Sequence, residues 1–237
     1  MVFAGEPKLV EQNANEEPAS ALLERIKAEK ERLVKEKIIK KSKVTYEDTP
    51  PIEIPKNWVW TKIGEISFCT KLAGFEYSKY ISNNLQEKGV PLFKGKNVQN
   101  GEIIYKFESY IPSEISNELY RSQITKKCLL TPYVGTIGNI GIHNRDGIYH
   151  LGSNVGKVEF FNEPQITVLE EYAKAYLQSY VGNRQLTKHM KATAQASISI
   201  EAIRDVYIPL PPIEEQKRIV AKIEQLFAAL DKMKQML

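Results

Sequence analysis

The chain has 237 residues, of which 42% are hydrophobic and 26% are charged, and its net charge is +4. These values are typical of a globular protein with one sizeable core and an appendage. No apolar run is long enough to span a membrane and no secretory signal precedes the domain, so we expect a cytoplasmic protein. The small positive charge permits a nucleic-acid partner but does not require one.

The N-terminal quarter predicts one helix between two irregular segments. Residues 1–14 are expected to be disordered. A helix is expected over residues 15–41, with Asn15 as its cap and Pro18 in its first turn. Its apolar face is narrow, which indicates a helix that is exposed to solvent or paired with another helix. Residues 42–55 contain several prolines and form a linker.

Residues 56–210 have the composition of a globular domain. Short apolar runs alternate with Gly, Asn, Ser and Pro, which predicts strands. The clearest strand candidates are residues 103–105, 128–130, 140–143 and 155–160. Residues 165–191 change to helical spacing. Gly182 and Asn183 are expected to interrupt this helix, and a second short helix is expected after them.

Residues 211–237 predict a helix that packs along another helix. Pro211 and Pro212 end the last strand, and Glu214 and Glu215 suit a first helical turn. The apolar residues that follow recur in alternating steps of four and three, as in a coiled-coil seam. They are Ile219, Ile223, Leu226, Leu230, Met233 and Leu237. The alternative is an amphipathic helix that lies on its own domain.

Several segments resemble parts of enzyme sites but lack the pattern that the chemistry needs. The glycines of 135–141 precede a strand pattern, whereas a nucleotide site needs a helix N-terminus. Residues 48–52 depart from the loop of amino-methyltransferases by a Thr insertion and the lack of a stacking aromatic. The histidines and the two cysteines, Cys69 and Cys128, are too scattered for a metal site. We therefore predict a non-catalytic chain without metal or cofactor.

The basic positions suggest contacts to an anionic partner. Arg184, Lys188 and Lys191 fall on one face of the second short helix, and hydrogen-bonding side chains follow them. Cations bind phosphates, and amides or hydroxyls read base edges. The predicted DNA-binding residues are Lys94, Lys96, Asn97, Thr136, Asn139, Arg184, Lys188, Lys191, Thr193 and Gln195. The alternative is a solvated charged face. Phe75 and Tyr77 are expected to be the most exposed of the neighbouring aromatics.

Four motifs in order resemble the specificity subunit of type I restriction-modification systems. They cover nearly the whole chain and are residues 54–66 (IPKNWVWTKIGEI), 90–98 (VPLFKGKNV), 129–141 (LLTPYVGTIGNIG) and 208–220 (IPLPPIEEQKRIV). The chain departs from the family at Ala192, where Gly is usual, which puts the local backbone in doubt.

The resemblance implies an α+β target-recognition domain with a small curved sheet and a helical portion, followed by a long spacer helix. It implies a subunit that recognises a DNA sequence and directs modification (methyltransferase) subunits and a restriction (motor-nuclease) subunit to double-stranded DNA. A full subunit of this family has two such halves. The chain is therefore either a half-subunit that pairs with a second copy through the spacer helix or a fragment. Two rival hypotheses are a coiled-coil adaptor that binds no DNA and a recognition module of a single-chain restriction-methyltransferase.

Overall fold

The computed structural model describes residues 9–41, 44, 49–162, 164–165, 167–188, 190 and 196–236. Within these residues the helices are α1 (Ala19–Lys35), α2 (Ile63–Ile66), α3 (Gly74–Glu76), α4 (Ser113–Glu118), α5 (Glu170–Gln178), α6 (Tyr180–Thr187), α7 (Ile200–Arg204) and α8 (Ile213–Gln235). The strands are β1 (Val59–Lys62), β2 (Ser67–Lys71), β3 (Val90–Phe93), β4 (Val98–Gln99), β5 (Glu102–Ile103), β6 (Tyr110–Ile111), β7 (Gln123–Ile124), β8 (Cys128–Pro132), β9 (Gly141–His143), β10 (Tyr149–Leu151), β11 (Val155–Phe160) and β12 (Tyr207–Leu210).

The N-terminal helix α1 belongs to the main core. Its buried residues Ala19, Leu22, Leu23 and Ile26 recur at three- and four-residue steps, so one face is covered by the domain. The expectation of a solvent-exposed or separately paired helix is therefore wrong. The helix also begins later than predicted, after Pro18, and ends earlier than residue 41.

The segment before α1 is also packed. Leu9 and Val10 contact the main core, so the predicted disorder is wrong for residues 9–14. Residues 1–8 lie outside the described part of the chain.

The beginning and the end of the domain are joined by one antiparallel pair of strands. Val59 of β1 lies opposite Leu210 of β12, and Lys62 lies opposite Tyr207. All four residues of β12 are buried. The predicted closing strand up to Leu210 is confirmed, and its partner is the first strand of the domain.

The central sheet has the order β2–β11–β8–β9 and is antiparallel throughout. Side chains alternate between the faces of a strand, so each face of this sheet covers a different core. Leu129 and Val158 face the first core, which also contains α1, α5 and α7. Leu130 and Val155 face the second core.

The second core lies between the central sheet and a mixed sheet of order β6–β3–β10–β7, in which β3 and β10 are parallel. Phe93 stands at its centre, with ring centroids of Tyr105, Phe107, His143 and Tyr149 within 5.8 Å. The hairpin β4–β5 completes the strands of the described residues. The mixture of helices and sheets confirms the predicted α+β class.

The predicted break in the helical region is three residues too late. The chain breaks at Ser179, whose hydroxyl oxygen accepts a hydrogen bond from the backbone N of Gly182 and caps α6. Gly182 lies inside α6, and a Cβ atom there would stand 2.2 Å from the carbonyl oxygen of Tyr176. Glycine therefore permits the close packing of α5 and α6. The break also turns Tyr180 outward, to 72% exposure.

The C-terminal helix α8 begins directly after Pro211 and Pro212, as predicted. Ile219 is 2% exposed and Ile223 also packs against the first core. These two residues are therefore not available for pairing with another helix, which corrects the prediction for them. Leu226, Leu230 and Met233 are exposed, and Leu237 lies outside the described residues.

Candidate nucleic-acid interface

Three loops converge at one end of the central sheet. Lys71 at the end of β2 lies opposite Gly156 of β11, and Pro132 at the end of β8 lies opposite Val155. The segments 72–76, 133–140 and 152–154 therefore leave the sheet on the same side, and we call them the loop end.

Tyr133 ties two of these loops together. Its backbone N donates to the carbonyl oxygen of Asn154 (3.1 Å), and its hydroxyl accepts from the backbone N of Asn154 (3.3 Å). The Nζ atom of Lys71 lies 4.3 Å from the centroid of the Tyr133 ring. Burial raises the pKa of Tyr133, so its hydroxyl stays protonated. The contacts hold a cation at a fixed place on the loop end.

The glycine-rich loop presents open backbone beside Tyr133. Gly135 has φ +89° and is exposed, with no atom within 4 Å of where its Cβ atom would stand. Its backbone N donates to the carbonyl oxygen of Ala196 (2.9 Å), so residues 196–198 run along the loop. Thr136 is exposed and Asn139 is half-buried. Backbone without side-chain cover allows close approach of a phosphate, whereas the strand that follows provides no helix N-terminus for a nucleotide.

The turn after β3 reaches the same end, because the backbone N of Gly95 donates to the carbonyl oxygen of Ser153 (3.0 Å). Lys96 is exposed and forms an ion pair with Glu108. Lys94 is half-buried, and its Nζ atom donates to the hydroxyl of Ser109 (2.9 Å). The two predicted lysines thus lie beside the loop end.

Asn97 has a structural role instead of the predicted role in DNA binding. It is 3% exposed. Its Oδ1 atom accepts from the backbone N of Lys94 (2.9 Å), and its Nδ2 atom donates to the carbonyl oxygens of Ile104 (2.8 Å) and Lys106 (3.0 Å). The amide is fully used by the fold, so we withdraw Asn97 from the set of DNA contacts.

Two faces of helix α6 border the candidate site. Asn183 faces the glycine-rich loop, where a Cβ atom on Gly138 would stand 2.3 Å from its Nδ2 atom. Arg184 and Lys188 lie on the next face and line a groove of about 740 Å³ between α6 and residues 49–52. The guanidinium of Arg184 donates to the hydroxyl of Tyr180 (3.0 Å). The two predicted basic residues, Arg184 and Lys188, thus lie on the same face of α6. This face is adjacent to the face with Asn183, which contacts the glycine-rich loop.

The groove also contains a buried cation. The Nζ atom of Lys62 lies 4.3 Å from the Tyr207 ring centroid and 3.9 Å from a carboxylate oxygen of Asp205. The charged residues that line the groove are the cations Lys62, Arg184 and Lys188 and the carboxylate of Asp205, so their formal charges sum to a positive value. The remaining predicted DNA contacts, Lys191, Thr193 and Gln195, lie outside the described residues.

The DNA contacts predicted from the sequence do not include Lys71, Tyr133 or Asn154, because only strand pairing brings these three residues together. Phe75 is 69% exposed, as predicted, whereas Tyr77 packs against the second core. The turn that carries Phe75 is fixed by Glu76, which accepts from the backbone N of Ala73 (3.0 Å) and pairs with Arg121 (3.0 Å). Phe75 is therefore displayed on a braced turn of the loop end.

The described residues contain no group of His, Cys, Asp and Glu that could hold a metal ion. Cys69 and Cys128 are buried free thiols, and burial raises the pKa of both, to about 11 for Cys69. His143 and His150 are fully buried, and burial lowers the pKa of each. Among the helices that the structure describes, none has the length and apolar character to cross a membrane.

Comparison with known proteins assigns the fold to a family. Residues 55–236 match the model of the type I restriction modification DNA specificity domain. The chain belongs to this family. The matched range contains all the described strands and helices except α1, and both the loop end and the groove lie within it.

Two similar proteins are specificity subunits of type I restriction enzymes from Escherichia coli. The chain is 29% identical to the type I restriction enzyme EcoAI specificity subunit over 96% of its own length and 38% of that protein. It is 30% identical to the EcoEI specificity subunit over 96% of its length and 39% of that protein. The chain thus spans about two fifths of the length of these relatives.

Solved structures show the same fold. The crystal structure of the HsdS subunit from Thermoanaerobacter tengcongensis aligns with a TM-score of 0.56 at 19% identity. The alignment covers 92% of this chain and 51% of the HsdS chain.

Proposed function

We propose that this chain recognises a DNA sequence as part of a type I restriction-modification complex and performs no catalysis itself. The observation that carries the proposal is the loop end, where Lys71, the open backbone of Gly135 and the Lys94–Lys96 turn converge on one end of the central sheet. Its family, the DNA specificity domain, supports the same function. Cations bind phosphates, backbone without side-chain cover lets a phosphate come close, and phosphate contacts orient the domain on the duplex.

The residues divide into two roles. Lys71, Lys94, Lys96, Arg184, Lys188 and Lys191 would bind phosphates. Thr136, Asn139, Thr193 and Gln195 would contact base edges, and Phe75 would contact the bases from its braced turn. An amide can hold adenine in a bidentate pair, which is worth about 1–3 kcal/mol of discrimination. Gln195→Ala is therefore expected to weaken binding to the preferred duplex and to leave binding to random DNA nearly unchanged.

The catalytic steps would belong to partner subunits. We propose that modification subunits supply the methyltransferase and that a restriction subunit supplies the motor and nuclease, in the cytoplasm. We also propose that two copies of the chain pair through the exposed part of α8, residues 226–236. The chain spans about two fifths of the length of its relatives. Pairing of two copies would bring two recognition domains into one assembly.

A coiled-coil adaptor is the second candidate function, and one observation favours it. The second half of α8 exposes Leu226, Phe227, Leu230 and Met233, and such a seam can pair proteins without DNA. The adaptor function does not account for the cations and the open backbone of the loop end.

A gel-shift panel separates the two functions. The chain is titrated into a set of duplexes of varied sequence, with and without a modification subunit. We expect a subset of duplexes to be retained preferentially, and more strongly when the modification subunit is present. A Lys71→Ala/Lys188→Ala variant should lose retention while remaining folded. Pairing of the chain without retention of any duplex in either condition would favour the adaptor.

A further inference from the structure

The first turns of α8 are attached to the domain at three separate places. We call Pro211, Pro212 and the residues 213–219 the joint. Pro211 and Pro212 are buried and are the only residues between β12 and α8. Proline fixes φ, so few torsion angles remain that could change the direction of the helix.

Gln216 provides the first attachment and is fully buried. Its Oε1 atom accepts from the backbone N of Leu169 (3.0 Å). Its Nε2 atom donates to the carbonyl oxygens of Thr167 (3.1 Å) and Pro211 (3.0 Å). Two hydrogen bonds of this amide connect α8 to the segment before α5, and the third connects it to Pro211 just after the last strand.

That segment is itself braced. The Oδ1 atom of Asn162 accepts from the backbone N of Thr167 and of Val168, both at 3.0 Å, and its Nδ2 atom donates to the carbonyl oxygen of Val168 (2.9 Å). Gln216 is therefore bound to backbone that Asn162 independently holds in place.

Glu215 and Arg218 provide the other two attachments. Glu215 is 1% exposed, and its carboxylate accepts from the Nδ2 atom of Asn57, just before β1 (3.4 Å). Arg218 pairs with Glu16 before α1 and donates to the carbonyl oxygen of Glu11 (3.2 Å). Successive helical residues are turned by about 100°. Glu215 and Arg218, three residues apart, therefore lie on neighbouring parts of one face of α8, and Gln216 points about 100° away from Glu215. The three side chains contact three different segments of the domain: the start of β1, the segment before α5 and the segment before α1.

The rest of α8 projects beyond the domain. Exposure of residues 224–236 shows that no part of the described chain covers this portion. Residue 235 lies about 28 Å along the axis from Gln216. A swing of about 10° at the joint would move that end by about 5 Å, which exceeds the roughly 3.4 Å between successive base pairs.

We propose that Gln216, together with Glu215 and Arg218, is a positioning residue that fixes the direction of α8 and thereby the separation of two DNA half-sites. The inference rests on the proposed function for its DNA part, whereas the rigidity of the joint stands independently. Gln216 is fully buried, so it would act through the helix that it orients.

Distance measurements between spin labels test the joint directly. Cysteines replace the exposed Glu118 in α4 and Lys232 in α8 of the full chain. Cys69 and Cys128 are buried and stay unlabelled. Excess unlabelled protein removes distances between copies. We expect a narrow distribution for the parent, and for Gln216→Met a broader one whose centre is shifted by roughly 5 Å.

Lys217→Met is the matched control, because Lys217 is exposed and pairs only locally with Glu214; it should leave the distribution narrow. If Gln216→Met fails to fold, the same distance measurement on Arg218→Met tests the joint. Arg218 is half-exposed, and its replacement releases one attachment, the one to Glu16. Unchanged distributions in the folded variants would overturn the proposal.

Duplexes that carry two copies of a selected site at different separations test the consequence. The parent should prefer one separation, and Gln216→Met should accept several with unchanged affinity for a single site. If Gln216→Met has a mobile helix but still prefers the same separation of sites as the parent, the joint does not set that separation and this part of the proposal is overturned. If the parent binds no duplex, the proposed function fails, and the distance measurement still decides on the joint.

Discussion

Ile219 and Leu226 lie one heptad apart on the same face of α8, yet Ile219 is 2% exposed and Leu226 is 46% exposed. The apolar seam that reads as continuous in the sequence therefore has two partners. Its first part packs on the domain of the same chain, and its second part is free for another helix.

The two parts of the seam should respond differently to a buried charge. Leu226→Asp with Leu230→Asp should abolish self-association and leave the melting temperature nearly unchanged, because both residues are exposed. Ile219→Asp should destabilise the domain by about 3 kcal/mol or more, since an unpaired charge would enter the core. Sedimentation and thermal unfolding measure the two effects. A dimer that survives the Leu226/Leu230 change would place the pairing surface elsewhere.

Salt dependence should report the phosphate contacts. Each contact contributes about −0.9 to the slope of log affinity against log salt concentration. Lys71→Ala and Lys188→Ala should each make the slope shallower by about that amount and weaken binding to all duplexes alike. Lys222→Ala is the control, because Lys222 is exposed on α8 and is not one of the proposed DNA contacts. A slope for Lys71→Ala that equals the parent's would remove Lys71 from the interface.

Asn97 and Lys96 are neighbours in sequence but should differ in their effect on stability. Asn97→Ala removes a buried amide that has three hydrogen bonds to partly buried backbone groups and should cost about 1–3 kcal/mol of unfolding free energy. Lys96→Ala removes only an exposed ion pair and should cost less than about 1 kcal/mol. Urea denaturation at neutral pH checks both values. Equal stabilities would refute the structural role of Asn97.

Buried histidines should make the domain sensitive to mild acid. Burial lowers the folded-state pKa of His143 and His150, whereas the unfolded residues bind protons near pH 6.5. Below that pH the unfolded chain takes up more protons, so stability falls as the pH decreases toward the folded-state values. The slope is at most about 1.4 kcal/mol per pH unit for each histidine.

His143→Phe should therefore reduce the loss of unfolding free energy between pH 7.5 and 5.5, because the aromatic ring keeps its place beside Phe93 and Tyr149. Glu170 and Glu215 have raised pKa values and act in the opposite direction nearer pH 4.5, so the variant is compared with the parent at each pH. Identical pH dependence in the two proteins would exclude His143 as a source.

The local part of the fold could be predicted from the sequence. The run Val155–Phe160 forms β11 as predicted, and α8 begins directly after Pro211 and Pro212, within two residues of the predicted start. These features depend on backbone preferences that act over a few residues. The break at Ser179 was missed because the capping hydroxyl and the contact between Gly182 and Tyr176 depend on how two helices pack.

The site depends on contacts between distant parts of the chain and was predicted only in outline. Lys71, Tyr133 and Asn154 meet through strand pairing, which a single sequence does not specify. Asn97 has the residue type of a base reader, but only the structure shows that its amide is consumed by backbone groups. Residue type alone therefore does not show whether a polar side chain is available to DNA or is used by the fold.

The central claim is sequence-specific DNA recognition, and selection from a random duplex library tests it most directly. The full chain, with its modification subunit present, is used to enrich binding duplexes, and the affinity for the enriched sequence is compared with that for random DNA at the same salt concentration. The account predicts a defined sequence bound at least about 10³-fold more tightly than random DNA, with the ratio reduced by Gln195→Ala. No enrichment and equal affinity for both duplexes would contradict it.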